Sequence, residues 1–159
     1  LPTYVSDKNV DLVTRHGIFT ETEFHARYNI YLEAYNKIVN IEARTMVDMA
    51  VHQILPAAMR YTDDLCQALQ HKQALGIPSH AEAELTKLLG EHTDALYCDI
   101  KHLQELLDQV PQNPGTASQY YHKQIIPAMD TMRIHADVLE KNTAKSYWPY
   151  PTYSDLLFY

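Results

Sequence analysis

Glycine and proline are placed so that helix is favoured along most of this chain. Only 4 of the 159 residues are glycine, which leaves few positions for the tight turns that β-sheets need. Three of these glycines fall between long stretches of strong helix formers, and prolines lie at the same breaks. The breaks contain Gly17, Gly76, Gly115, Pro78, Pro111 and Pro114. This pattern predicts an all-α fold of long helices joined by short turns.

Three long helices are predicted between these breaks, after a short N-terminal helix that ends at His16. They cover approximately residues 21–75, 81–110 and 117–145. The part of the first helix after Thr45 and the two other helices each hold about 30 residues, so each spans roughly 45 Å. Rods of equal length joined by short turns are predicted to pack as an up-down-up three-helix bundle.

The predicted helix ends carry capping signals. Gly17 supplies a left-handed residue after the short first helix. Thr20 with Glu23, and Ser79 with Glu82, fit the capping-box pattern at the start of the first and second long helices.

Pro56 and Pro127 lie inside the first and third long helices. Because proline removes a backbone hydrogen bond and crowds the preceding turn, each is predicted to kink its helix. The surrounding sequence is shared, since residues 53–57 read QILPA and residues 124–128 read QIIPA. Matched prolines would give the two parallel rods matched bends, and a chance match of five residues is the equal alternative.

The first long helix carries two apolar stripes in succession. Phe24, Tyr28, Tyr31, Tyr35 and Ile38 recur at alternating steps of four and three residues, which places them on one helical face. A second stripe takes over after residue 46, and polar residues lie at the change. The helix is therefore predicted to contact two different neighbours along its length.

The last segment, residues 147–159, has a different character. Pro149 and Pro151 disfavour a helix and favour an extended path. Eight of its thirteen residues are aromatic or leucine, which is too apolar for a free tail. We expect an extended aromatic tail that folds back and fills a groove.

Charge and motifs exclude several function classes. The net charge of −7, with Lys and Arg scattered singly, does not suit a nucleic-acid surface. No apolar run approaches the ~20 residues of a membrane span, and no nucleophile elbow, phosphate loop or kinase signature occurs. No catalytic or cofactor-binding residue is therefore predicted. Cys66 and Cys98 lie too far apart along a helical hairpin for a disulfide and are predicted as buried thiols of a reducing, cytoplasmic compartment.

The nine histidines do not form a recognisable metal motif. No two are spaced at i,i+4. Cys98, His102 and Glu105 share one helical face but lack a fourth ligand, so no metal site is predicted. His92 and His135 fall between apolar positions and are interpreted as hydrogen-bonded histidines in or near the core.

The remaining polar and aromatic residues suit a protein interface. Arg44 and Asp48 are one turn apart and are predicted to pair, on a solvated surface or against a missing partner. The tyrosines offer large amphipathic faces for an interface, and core packing explains them equally well. The candidate interface comprises Arg27, Tyr28, Tyr31, Tyr35, Asn40, Glu42, Arg44, Asp48 and Trp148.

Several segments, in order along the chain, resemble the C-terminal region of type III glutamine synthetases. They are residues 16–21 (HGIFTE) leading into Arg27 and Tyr28, 40–46 (NIEARTM), 53–57 (QILPA), 147–153 (YWPYPTY) and 155–158 (DLLF). The resemblance implies a parent enzyme that ligates ammonia to glutamate with ATP and Mg²⁺ or Mn²⁺ and forms a homo-oligomer. Its ligands for these groups would belong to an upstream catalytic domain, so no catalytic, cofactor or metal residue is assigned here.

The resemblance and the residue patterns together predict three parts. Residues 1–45 would dock on the upstream catalytic domain, residues 46–146 would form the helical bundle, and residues 147–159 would be the docking tail. Leu1 in place of Met indicates a piece cut from a longer chain. The expected role is structural, in oligomerisation or regulatory, and the alternative is a free-standing helical adaptor that binds partner helices.

Overall fold

Three long helical rods form the fold. The structure, a computed structural model, describes the backbone of residues 2–151 and 153–157 and the side chains of residues 3–151 and 155–157. A 3₁₀ turn (Pro2–Val5) and helix α1 (Asp7–Arg15) come first. The first rod is α2 (Glu21–Met49), a π-helical segment (Ala50–Ile54) and α3 (Leu55–Ala74); the second is α4 (His80–Asp108). The third is α5 (Pro114–Tyr120), a second π-helical segment (Tyr121–Ile125) and α6 (Ile126–Asn142), and α7 (Tyr153–Leu157) lies in the tail.

The rods pack as the predicted all-α, up-down-up bundle. α3 packs against α4, α4 packs against α6, and α2 packs against α5. The Asn36 side-chain amide donates to the backbone carbonyl of Pro114 at 2.9 Å, which fixes the first and third rods side by side and parallel. The central rod buries a line of apolar residues at helical spacing, namely Leu89, Leu96, Ile100, Leu103 and Leu107.

Most helix ends follow the predicted signals. The third rod begins at Pro114, three residues before the predicted start, because the Asn113 side chain caps it. Gly17 has a φ of +63°, and the Ile18 N–H donates to the Val13 carbonyl at 2.9 Å, which is a Schellman ending. Thr20 and Glu23 form the predicted capping box.

The capping box predicted at Ser79 is wrong. Ser79 has a φ of −138° and a ψ of 31°, and its side chain makes no cap hydrogen bond, because this backbone conformation is not the extended one of a capping residue. Glu82 instead forms an ion pair with Lys72. That pair joins the end of α3 to the start of α4.

Both interior prolines are accommodated by the same local structure. Pro56 and Pro127 are the second residues of α3 and α6, directly after the π-helical segments. The Leu55 N–H donates to the Ala50 carbonyl, and the Ile126 N–H donates to the Tyr121 carbonyl, so each bond spans five residues instead of four. A wider turn relieves the clash of the proline ring with the preceding turn without ending the helix. The shared five-residue segment therefore marks the same structure in both rods.

The first half of α2 and the segments before it form an N-terminal arm (residues 2–35). This part of α2 lies before Asn36, the residue that contacts the start of α5. The Tyr4 ring stacks on Phe24 with 4.7 Å between centroids and on Tyr28 at 6.2 Å, and meets the Tyr31 ring edge-on at 6.1 Å. These contacts hold the 3₁₀ turn against α2.

The predicted tyrosine stripe lies at the edge of the buried face of α2 rather than at its centre. Tyr31 is 52% exposed and Ile38 is 56% exposed, while Tyr28 and Tyr35 are half-buried. The buried positions are Phe24, Leu32, Val39, Ala43 and Val47. A helix with neighbours on one side buries a single face, and the direction of that face depends on where the neighbours lie.

The tail folds back onto the bundle. Residues 148–151 are not helical, as the prolines require, and α7 follows them, a short helix that the sequence analysis did not predict. The Tyr147 ring lies 5.1 Å from the Tyr61 ring, and its hydroxyl donates to the Asp64 carboxylate. Trp148 and Tyr150 are half-buried against the core. The rest of the predicted tail, Thr152, Phe158, Tyr159 and the side chains of residues 153–154, lies outside the described residues.

A matched pair of substitutions on α6 tests the packing. Met132 is 1% exposed and Ile134 is 60% exposed. We expect Met132→Ala to lower the free energy of unfolding by about 2–5 kcal/mol, because it leaves a cavity. Ile134→Ala should change it by no more than about 0.5 kcal/mol. Urea unfolding followed by circular dichroism measures both, and equal effects would contradict the orientation of α6.

Tail docking is predicted to weaken at high pH. The hydrogen bond to Asp64 raises the pKa of Tyr147 above its usual 10.0, because the carboxylate favours the neutral phenol. The resulting stabilisation is complete below the usual pKa and is lost as the pH rises through the raised value. Trp148 is the single tryptophan, so its emission should shift to the red above pH 10 in the wild type.

This shift should be smaller in Tyr147→Phe, which lacks the titrating hydroxyl. Tyr97→Phe, an exposed position on α4, is the control and should behave as the wild type does. A red shift in Tyr147→Phe as large as that of the wild type would contradict the role of this hydrogen bond.

Candidate protein interface

The nine candidate interface residues fall on separate surfaces. Four of them, Arg27, Tyr28, Tyr31 and Tyr35, lie on α2 in and at the end of the N-terminal arm. Asn40, Arg44 and Asp48 lie further along α2, and the last two line a groove against α4. Glu42 lines a different cavity, beside α6, and Trp148 packs against the core. The structure therefore does not gather the predicted set into one site.

The residues of the arm are held by stacking. The guanidinium carbon of Arg27 lies 4.5 Å from the centroid of the Phe19 ring, and Phe19 stacks on Phe24 at 6.2 Å. At the start of α2, hydrogen bonds from the Thr20 backbone N–H and hydroxyl lower the pKa of Glu23. The arm thus presents Arg27 and Tyr31 from a rigid helix rather than from a loop.

The predicted pair between Arg44 and Asp48 is not formed. The Arg44 Nε donates to Asn40 Oδ1 at 3.2 Å, and an Asp48 carboxylate oxygen lies 3.5 Å from His52 Nε2. Each side chain is bound to the helical turn on its other side, which equal i,i+4 spacing allows. Arg44 and Asp48 still line one cavity of about 450 Å³ between α2 and α4, together with Val47, Val51, His52, Gln104, Leu107 and Asp108.

Two tyrosines, the buried Tyr121 and the half-buried Tyr150, approach this polar part of α2. Burial raises the pKa of Tyr121, and the positive charge of Arg44 opposes that shift. Burial also raises the pKa of Tyr150, and the negative charge of Asp48 adds to it. Arg44 thus lies near the third rod and Asp48 near the tail.

An apolar surface runs along the outside of α2, and the predicted stripe contained only Tyr31 and Ile38 of it. We call it the α2 outer face and define it as Ile30, Tyr31, Ala34, Ile38 and Ile41. Its isoleucines are 54–62% exposed, and the positions repeat at helical spacing. The repeat of Ile30, Ile38 and Ile41 is the sequence signal that could have revealed the surface. It overlaps the tyrosine pattern, which is the more conspicuous of the two.

The α2 outer face continues into an apolar cavity between α2 and α6. The cavity measures about 370 Å³ and is lined by Ile41, Glu42, Thr45, Met46, Met49, Ala50, Ile54, Met132 and Ala136. Ile41 belongs to both surfaces. Together they form one exposed apolar strip that extends from the arm onto the bundle.

The described residues offer no ligand set for a metal ion. Within residues 2–151 and 153–157, no group of three or more His, Cys, Asp or Glu residues has a geometry that could hold a metal ion. The prediction of buried thiols is wrong for Cys98, which is exposed, while Cys66 is partly buried and both are free. No described helix combines the length and apolar character needed to cross a membrane.

Comparison with known proteins identifies the family. Residues 1–73, which comprise the arm and nearly all of the first rod, match the family model for the glutamine synthetase C-terminal domain. A glutamine synthetase from Butyrivibrio fibrisolvens is 33% identical over 99% of this chain and 23% of its own length. A type-3 glutamine synthetase from Dictyostelium discoideum is 27% identical over 96% of this chain and 22% of its own length.

A glutamine synthetase from Bacteroides fragilis (strain YCH46) is 26% identical over 98% of this chain and 22% of its own length. The chain thus spans about a fifth of the length of these relatives, and it matches their C-terminal part. The chain therefore belongs to the glutamine synthetase family and corresponds to the C-terminal region of a type III member, as the sequence motifs predicted.

Proposed function

We propose that this domain is part of an enzyme that ligates ammonia to glutamate with ATP and Mg²⁺ or Mn²⁺, and that it supports the enzyme's structure without an active site of its own. The support comes from relatives that are named glutamine synthetases and extend well beyond the match. ATP and metal would be bound by the remaining part of the protein, since the described residues offer no metal ligand set.

The α2 outer face is the observation that carries the structural role. Water-exposed isoleucines in a row along a rigid helix are unfavourable unless another surface covers them. We infer that the upstream part of the same protein covers the α2 outer face, because the chain matches the C-terminal part of relatives that are more than four times its length. The arm is the part of the domain that comes first in the chain, so it is well placed for this contact.

This proposal assigns the parts of the chain as follows. Residues 1–45 dock on the upstream catalytic domain, with Tyr31 in the α2 outer face and Arg27 and Glu42 beside it. Residues 46–146 form the bundle, and residues 147–159 dock back on it as a tail. We also propose that the full-length enzyme is a homo-oligomer in the cytoplasm. The two free cysteines agree with a reducing compartment.

Two exposed isoleucines give a matched test in the full-length protein. Ile38 and Ile134 are 56% and 60% exposed, but only Ile38 belongs to the α2 outer face. We expect Ile38→Asp to lower ATP-dependent glutamine formation by an order of magnitude or more, because a buried charge without a partner weakens the contact. Ile134→Asp should leave activity unchanged. Arg44→Ala, which removes the Asn40 contact, should have a smaller effect in the same direction.

Sedimentation velocity on the same samples measures assembly size, and thermal unfolding checks that each variant folds. If Ile38→Asp and Arg44→Ala leave both activity and assembly size unchanged, the docking proposal is wrong. If the wild-type protein forms no glutamine, the proposed activity is wrong, whatever the variants do.

Sequencing the transcript upstream of Leu1 distinguishes the proposal from a free-standing adaptor. A continuous reading frame of several hundred codons with a carboxylate-rich synthetase domain would support the proposal. A start codon directly before Leu1 would favour the adaptor, for which the α2 outer face would bind a helix of another protein.

A further inference from the structure

Two histidines and one aspartate join the second and third rods. His92 of α4 and His135 of α6 approach with 2.9 Å between their Nδ1 atoms and 5.1 Å between ring centroids. On the far side of the His135 ring, Nε2 lies 3.8 Å from Asp99 Oδ2. All three residues are half-buried. Among the described residues, this is the one side-chain hydrogen bond that the structure gives between α4 and α6.

The chemistry of the pair limits how many protons it can hold. A hydrogen bond between two Nδ1 atoms requires a proton on one atom and a lone pair on the other. The neutral pair meets this requirement when His92 donates and His135 accepts, with the His135 Nε2–H directed towards Asp99. One added proton, on His92 Nε2, leaves the bond intact, because the shared proton can then lie on His135 Nδ1 and place the charge beside Asp99. A second added proton must go to the Nδ1 atom that accepts the bond, where it would place two N–H donors against each other.

The charged groups around the pair leave Asp99 as its counter-ion. Asp99 Oδ2 is buried and makes no hydrogen bond in the described part of the chain, so its charge is available to a protonated His135. His102 and Lys123 line a cavity of about 330 Å³ with Asp99, beyond the pair. Among the other charged groups of the packed helices, the structure gives the pairs Lys87–Glu91, Arg133–Asp137, Asp63–Gln67 and Asp64–Tyr147. Arg60 of α3, Asp94 of α4 and Glu140 of α6 are further charged residues of these helices.

We propose that His92, His135 and Asp99 form a pH-sensitive clasp between α4 and α6, which stays closed with one added proton and opens with two. The clasp lies among buried apolar residues of both helices, namely Leu89 and Leu96 of α4 and Met132 and Leu139 of α6. Opening it would place two like charges in that contact. The second and third rods would then separate locally when the surroundings become acidic.

The proposal predicts how stability depends on pH. Below about pH 6.5, free imidazoles become charged, so the unfolded chain binds both protons while the closed clasp binds one. Stability therefore falls as the pH falls, by about tenfold in the folding equilibrium constant per pH unit for this one proton. Urea unfolding of the 159-residue chain between pH 7.5 and 5, with EDTA present, measures the slope.

His92→Gln should remove this tenfold dependence, and His122→Gln, at an exposed position on the third rod, should keep it. An unchanged slope in His92→Gln would overturn the proposal. If His92→Gln does not fold, the chemical shifts of the histidine Hε1 protons in the wild type, followed by NMR as the pH is lowered, decide. Protonation of His92 and His135 in two steps at different pH values supports the clasp. Protonation of both over the same pH range as His122 overturns it. Stabilisation by one equivalent of zinc without EDTA would also overturn it, because a metal would then replace the shared proton.

Discussion

The apolar line along α4 is the contact on which the other elements depend. α4 packs against α3 on one side and α6 on another. Its buried residues Leu89, Leu96, Ile100, Leu103 and Leu107 are at most 6% exposed. Burial of each such side chain stabilises a fold by about 1.5–3 kcal/mol. Because the first and third rods meet α4 over much of its length, they run parallel to each other. The surfaces described above, on the arm and in the groove, are positioned by that arrangement.

Proline within the rods is the second constraint. A regular α-helix through Pro56 or Pro127 would force the ring against the preceding turn, and a broken helix would shorten the contact with α4. The π-helical segments avoid both outcomes, because a bond over five residues widens the turn and keeps the rod continuous. The same solution at two parallel positions places Ile54 and Ile125 in one core.

The molecule separates surfaces that hold the domain together from a surface without a partner. Arg44 and Asp48 line the groove against α4 and lie near Tyr121 and Tyr150, within the bundle. In the α2 outer face, Tyr31 contacts the Tyr4 ring, whereas Ile30, Ile38 and Ile41 are more than half exposed. A domain that covers about a fifth of its relatives and carries an apolar helical face suits a part that is built against a larger body.

Local signals in the sequence determined the number and order of the long helices and where most of them begin and end. Helix capping at Thr20, the left-handed Gly17 and the breaks around Gly76 act within a few residues, so the sequence reveals them directly. The family motifs are likewise local strings. Which face of α2 is buried, whether Arg44 pairs with Asn40 or Asp48, and the approach of His92 to His135 were decided only by the tertiary structure. Each depends on a neighbour that is distant in sequence or on a choice between equal spacings, and periodicity on a single helix does not specify where that neighbour lies.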